Sequence, residues 1–190
     1  MDVTAPRWAG ASYLYHPWWR ELKDREKFDG VLDHCHTLSQ PRPAVTRLLR
    51  SEGATEKKAC AAAFRLMDEA ALRVGNEESA QSNGSYGVTT LLVQHVRVDG
   101  RDVHLDFPGR SGHRWTLSLR DADLAASLAP RLERGPDETA LAHRDEDGQW
   151  VGITGARLND FVRDRCGHDF TAKDFRTRQG TERSLRAFLT

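Results

Sequence analysis

At Thr90 the apolar pattern of the chain changes period, and that change sets what it can fold into. Before it, Phe64, Leu66, Met67, Ala70 and Leu72 recur among alanines at helical spacing between Thr55 and Val74. After it, Val96 and Val98, then Val103, Leu105 and Phe107, then Trp115, Leu117 and Leu119 alternate with polar residues. Asp99-Gly100 separates the first two runs, a dipeptide suited to the left-handed conformations of a tight hairpin. Residues Pro108 to Gly112 separate the last two. The pattern predicts a three-stranded antiparallel meander set among helices. The expected class is α+β, mostly helical with one small sheet.

Helix signals flank the meander on both sides. Thr55 is a good N-cap, although Lys58 stands where a capping box would prefer Glu. Trp19, Leu22, Phe28, Val31 and Leu32 predict a helix between Trp18 and Leu38, broken by Pro41 and Pro43. A second helix is expected over Ala44 to Arg50, and one further helical turn over Glu77 to Ser82. Asp121 opens a helix over Ala122 to Leu132 that Gly135-Pro136 ends. Asp145 to Gly148 reads as a turn. Thr154 caps a helix from Ala156 to Cys166, and Thr171 another from Ala172 onward. No repeat or low-complexity tract is present.

Lys plus Arg and Asp plus Glu are equal at 28 each, so total charge announces no nucleic-acid partner. The distribution says more: residues 1–76 hold 12 basic and 10 acidic side chains, 77–155 hold 8 and 13, and 156–190 hold 8 and 5. Mildly basic ends around an acidic middle permit a DNA-binding face only if folding gathers the cations. Cys35, Cys60 and Cys166 are odd in number and far apart, which argues against a disulfide framework and fits a reducing compartment. No apolar run approaches the ~20 residues of a membrane span. The first ten residues carry no apolar leader, and the expected location is the cytoplasm. Asp33-His34-Cys35-His36 invites a metal, but neighbours on a helix diverge and no partner pair follows, so no metal site is expected.

Three strings carry a resemblance. The first is Leu72-Arg73-Val74-Gly75-Asn76-Glu77 with Asn83-Gly84-Ser85-Tyr86-Gly87-Val88-Thr89-Thr90-Leu91. The second is Phe107-Pro108-Gly109-Arg110-Ser111-Gly112, and the third Phe170-Thr171-Ala172-Lys173-Asp174-Phe175-Arg176-Thr177 with Gly180-Thr181. In order and spacing the chain resembles type IB DNA topoisomerases of the bacterial and poxvirus kind. Upstream, Tyr15-His16-Pro17-Trp18-Trp19-Arg20-Glu21 is similar to the segment leading into their catalytic domain. The first dozen residues carry little pattern and read as a loose terminus over 1–12, while the resemblance gives a catalytic core over 13–181 and leaves a divergent tail over 182–190.

The resemblance implies relaxation of supercoiled duplex DNA through a transient 3′-phosphotyrosyl break, without metal or nucleotide cofactor. The covalent link conserves the phosphodiester energy, so no ATP is needed. It places Arg73 and Arg176 on the non-bridging oxygens of the pentacoordinate phosphorane, where fixed fork-shaped cations suit the extra charge. It places Arg110 where the family supplies a lysine that protonates the leaving 5′ oxygen. With a pKa above ~12, an arginine grips phosphate but gives up its proton poorly at neutral pH. Tyr86, Thr89 and Thr90 either position a DNA phosphate or merely turn the chain. Lys173 either touches the DNA backbone or is only exposed. A monomer associated with the bacterial nucleoid is the expected setting.

There are departures. Ser79 stands where the family has an aromatic, and Arg178-Gln179 where a tryptophan is usual. The family's last catalytic histidine and its nucleophilic tyrosine lie beyond the third motif, and after Arg176 this sequence has neither. The expectation is a core truncated at both ends that lacks its nucleophile and is inactive by itself. The alternative is a non-catalytic duplex-DNA-binding module derived from the same fold.

Overall fold

The computed structural model describes residues 40–167 and 170–188, without the side chains of Ser111 and of residues 181–188. The helix expected between Trp18 and Leu38, the Tyr15–Glu21 segment and the Asp33–His36 string lie outside the described residues.

Helix α1 (Pro41–Arg50) starts earlier than expected, with proline in its first turn. Proline lacks the N–H that a first turn leaves without a partner anyway, so Pro41 and Pro43 open this helix. Helix α2 (Glu56–Ala70) begins as anticipated, the Thr55 hydroxyl oxygen accepting from the Lys58 N–H at 3.2 Å. It stops four residues short of the expected Val74, at Ala71, a left-handed residue with φ 54°. Helix α3 (Glu77–Asn83) follows, capped by Asn76, whose side chain accepts from the Glu78 N–H.

The meander is present in full: β1 (Val96–Asp99), β2 (Asp102–Pro108) and β3 (Arg114–Arg120), antiparallel in the order β1-β2-β3. Val98 faces Val103, and Phe107 faces Trp115. Val103, Leu105 and Phe107 alternate into the core while their neighbours face outward. Helix α4 (Ala122–Leu128) is capped by Asp121, and a 3-10 turn over Ala129–Arg131 replaces its expected last residues. The turn around Asp145–Gly148 joins two strands that the sequence reading missed, β4 (Ala142–Arg144) and β5 (Trp150–Gly152). Each is three residues long, too short to show a period. Helices α5 (Gly155–Cys166) and α6 (Ala172–Phe188) complete the order.

Helix α2 is the axis of the core, packing against α1, α4, α5 and α6. Ala59, Ala61, Ala62 and Ala63 are fully buried, and such small side chains let neighbouring backbones come close. Phe64 fills the space they leave, edge-on to Phe175 at 4.9 Å and to Phe161 at 6.4 Å. Burying a side chain of that size contributes about 2–3 kcal/mol. Arg65 joins two elements by donating to the α4 cap Asp121 at 2.6 Å and to Thr46 of α1 at 2.6 Å. Among the described residues no helix is long and apolar enough to cross a membrane.

Candidate functional site

Where α2 ends, Leu72 turns into the core and Arg73 turns out of it. The backbone here is clamped by the segment after α3. The Arg73 carbonyl accepts from the Val88 N–H and the Val74 carbonyl from the Thr89 N–H, both at 2.7 Å. The Thr89 hydroxyl donates to the Val74 carbonyl as well, at 2.9 Å. The two strings cross glycine on glycine. Gly75 has φ +105°, and a Cβ there would meet the Thr90 hydroxyl at 2.8 Å. A Cβ on Gly87 would strike the Gly75 backbone and, at 2.8 Å, the Arg73 carbonyl.

The same segment reaches the hairpin. The Tyr86 N–H donates to the Pro108 carbonyl at 2.9 Å, just before the β2–β3 tip. The tip folds as a 3-10 turn over Arg110–Gly112, closed by the Gly109 N–H donating to the His113 carbonyl at 2.7 Å. Gly109 lies against the Trp115 ring, where a Cβ would come within 2.6 Å of Cδ1. Phe107 and Trp115 are parallel, their ring centroids 6.4 Å apart. Arg110 therefore stands exposed on a braced tip.

Arg176 comes from α6. Phe175, fully buried, seats the helix on Phe64 and Phe170. Arg178 and Gln179 seat it a second time, on Asp68 of α2. The Arg178 guanidinium donates to the Asp68 carboxylate at 2.6 Å, and the Gln179 amide to the Asp68 carbonyl at 2.5 Å. Arg42 of α1 grips both oxygens of that carboxylate, Oδ2 at 2.8 Å and Oδ1, shared with Arg178, at 3.0 Å. With that face buried, Arg176 and Gly180, one helical turn apart, fall on the side facing the hairpin tip.

Arg73, Arg110 and Arg176 thus share one cavity of about 350 Å³ with His113, Trp115 and Gln179. Their proximity shows in the Arg176 pKa, lowered first by burial and then by the charges of Arg73 and Arg110. Arg42, Arg50, Arg65, Arg114, Arg134, Arg157, Arg163 and Arg178 each meet a carboxylate within 2.9 Å. Among the described residues the three cavity arginines meet none. Like charges gathered without a counter-ion cost folding energy that a bound anion would return. A second cavity, of about 740 Å³, shares Arg73 and Arg110 and continues past Asn76, Ser79, Asn83, Ser85 and Tyr86. Its added lining is neutral and rich in amides and hydroxyls.

The sequence profile of the eukaryotic DNA topoisomerase I catalytic core matches residues 17–188. The chain belongs to this family. It is similar to the DNA topoisomerase 1B of Acanthamoeba polyphaga mimivirus, 25% identical over 168 residues that cover 87% of this chain and 50% of that protein. It is 27% identical over 131 residues to a Mycosarcoma maydis DNA topoisomerase 1, covering 67% of this chain and 12% of the relative. With the mitochondrial DNA topoisomerase I of Rattus norvegicus it shares 26% over 166 residues, 84% of this chain and 26% of that one. The chain therefore spans half or less of the length of these relatives. They are viral and eukaryotic, which lends no support to a bacterial nucleoid setting.

Within this topoisomerase core the residues singled out in the sequence fall into two groups. Arg73, Arg110 and Arg176 come together, and Tyr86 borders the larger cavity beside them. Thr89 and Thr90 are buried, with hydroxyls turned to the chain: Thr89 to Val74, Thr90 to the N–H and carbonyl of Gly87. They brace the Arg73 backbone from beneath the cavity. Lys173 is exposed in the first turn of α6 and borders neither cavity. His113, Trp115 and Gln179 line the smaller cavity without having been anticipated. Trp115 was legible only as a strand residue, and His113 carried no signal beyond lying three positions after Arg110. Arg178-Gln179, which reads in sequence as a departure from the family, is the contact that holds Arg176 in place.

Proposed function

We propose that this chain is the phosphodiester-holding part of a type IB DNA topoisomerase, with Arg73, Arg110 and Arg176 on the scissile phosphate of duplex DNA. The observation that carries the reading is the meeting of three guanidiniums at one cavity, from three separate segments and with no carboxylate among the described residues. Forked, permanently charged donors suit the non-bridging oxygens of a phosphorane, whose charge exceeds that of the ground-state diester. Tyr86 and Lys173 would add contacts to the flanking backbone, and Thr89 and Thr90 would act by positioning Arg73. The reaction would need neither metal nor nucleotide, and the protein would act as a monomer.

Chemistry also requires a nucleophile. After Arg176 this sequence contains no tyrosine, and Tyr13, Tyr15 and Tyr86 lie upstream, where the family takes no nucleophile. The 190-residue polypeptide by itself is therefore expected to hold DNA without cutting it. The test is relaxation of supercoiled plasmid in EDTA, stopped with detergent, beside a gel shift at several salt concentrations. Salt-sensitive binding with the plasmid left supercoiled is expected. Relaxation would show that another residue or chain supplies the nucleophile. Absence of binding at low salt would overturn the reading.

A second reading, a DNA-binding module without chemistry, is supported by the resemblance, which puts Arg110 where the family supplies a proton-donating lysine. Joining a tyrosine-bearing C-terminal segment of a relative to this chain separates the two. Relaxation that improves with Arg110→Lys supports the enzyme, and unaltered inactivity supports the binder.

A further inference from the structure

His113 shares the cavity of Arg73, Arg110 and Arg176, and nothing in the reading above uses it. It follows the 3-10 tip that carries Arg110, and its backbone closes that tip. Its carbonyl accepts from Gly109 at 2.7 Å, and its N–H donates to the Arg110 carbonyl at 3.5 Å. The imidazole stands edge-on to the Trp115 indole at 6.3 Å and 85°, and Trp115 is itself fixed against Gly109 and Phe107. His113 is exposed, so its ring is open to solvent protons. The other cavity cations are guanidiniums, which stay charged throughout the physiological range. Imidazole is the side chain whose ordinary titration falls between pH 5 and 8.

Among the described residues, three charged side chains line the cavity beside it. Arg73 comes from the segment after α2, Arg110 from the tip, and Arg176 from α6. Its chain neighbour Arg114 is matched by Asp106, 2.6 Å away on β2. A proton on His113 would therefore add a fourth positive charge to a cavity in which, among the described residues, no carboxylate answers the other three. With a phosphodiester in place that addition is favoured, because the anion offsets all four and accepts a charge-assisted hydrogen bond.

We propose that His113 is a fourth phosphate-binding residue of this cavity, its imidazolium donating a charge-assisted hydrogen bond to a DNA phosphodiester, so that the hold is tighter in acid. The inference rests on the reading of the cavity as a phosphodiester site. It also gives the tip an exchangeable proton, which Arg110 cannot offer near neutrality.

The experiment uses the full chain and a labelled duplex oligonucleotide at constant ionic strength, with dissociation constants measured at pH 5.5 and pH 8. The wild-type protein should bind roughly tenfold tighter at pH 5.5, the scale of one charge-assisted hydrogen bond. His113→Gln should flatten the dependence to within about twofold, and His113→Lys should bind tightly at both values. An unchanged pH slope in His113→Gln, with binding still weakened by Arg73→Ala, would overturn this inference and leave the phosphodiester site standing. No DNA binding by the wild-type chain at either pH would overturn both. Melting curves at each pH establish that the exposed-tip variants remain folded.

Discussion

Gly87 lies against Gly75 with no room for a methyl group between the two backbones: a Cβ on Gly87 would overlap Gly75 and come within 2.8 Å of the Arg73 carbonyl. This crossing links the end of α2 to the segment that carries Tyr86, and so sets the height at which Arg73 meets the cavity. Gly87→Ala should cost about 1–3 kcal/mol, because backbone on both sides must shift. It should also weaken DNA binding by displacing Arg73. Denaturant unfolding and a binding isotherm on the same preparation check both parts. A variant of wild-type stability would show that the crossing is looser than described.

Asp68 is 4% exposed and carries the ion pairs that seat α1 and α6 on α2, through Arg42 and Arg178. Removing one partner of a buried pair leaves the other charge without compensation, so Asp68→Ala should destabilise by about 3–5 kcal/mol. Arg42 is nearly half exposed, and Arg42→Ala should cost less than about 1 kcal/mol. Comparable losses in the two variants, measured by urea unfolding, would count against Asp68 as the anchor of α6.

The cavity arginines should act on DNA through counterion release. Log-log plots of affinity against salt should lose about 0.9 in slope for each phosphate contact removed. Arg73→Ala and Arg176→Ala should each show that loss, whereas Arg163→Ala, whose guanidinium meets Asp160 on α5, should not. An equal slope in all four proteins would remove these arginines from the DNA contact.

His95 predicts a pH effect on stability. Its ring meets Tyr86 edge-on at 4.4 Å, and its Nδ1 accepts from the Leu92 N–H at 3.1 Å, which requires the neutral ring. Burial lowers its pKa, an effect that the Asp106 charge partly opposes. The unfolded chain therefore takes up the proton first as pH falls. The stability held above the unfolded value, near 6.5, is lost on acidification toward the lower folded value. Between pH 7.5 and 5.5 His95 should account for a fall in Tm of about 2 °C or less, since the ring is partly exposed to screening solvent. His95→Gln should remove that component, and a pH profile identical to wild type would refute the assignment.

Signals confined to a few neighbouring residues were legible in the sequence. Thr55, Asp121 and Thr154 cap helices as their side-chain chemistry demands. Asp99-Gly100 precedes β2, and period-two alternation places Val103, Leu105 and Phe107 on one face. Cap and turn preferences act within about four residues, so one chain suffices to state them. The strings around Arg73, Arg110 and Arg176 carried the resemblance to a family whose profile matches residues 17–188.

Packing between distant segments decided the rest. Helix α2 stops at Ala71, short of its helical pattern, and the Gly87–Thr90 segment takes up the Arg73 and Val74 carbonyls. Thr89 and Thr90, exposed or buried with equal ease in a lone strand, turn inward because the Val74 carbonyl and Gly87 lie beside them. Arg178 finds Asp68 across 110 residues, and through that contact Arg176 faces Arg110. Hydrogen bonds and ion pairs need their partners within about 3 Å. Composition and spacing carry no such distance, so only the tertiary structure could bring His113 into the cavity.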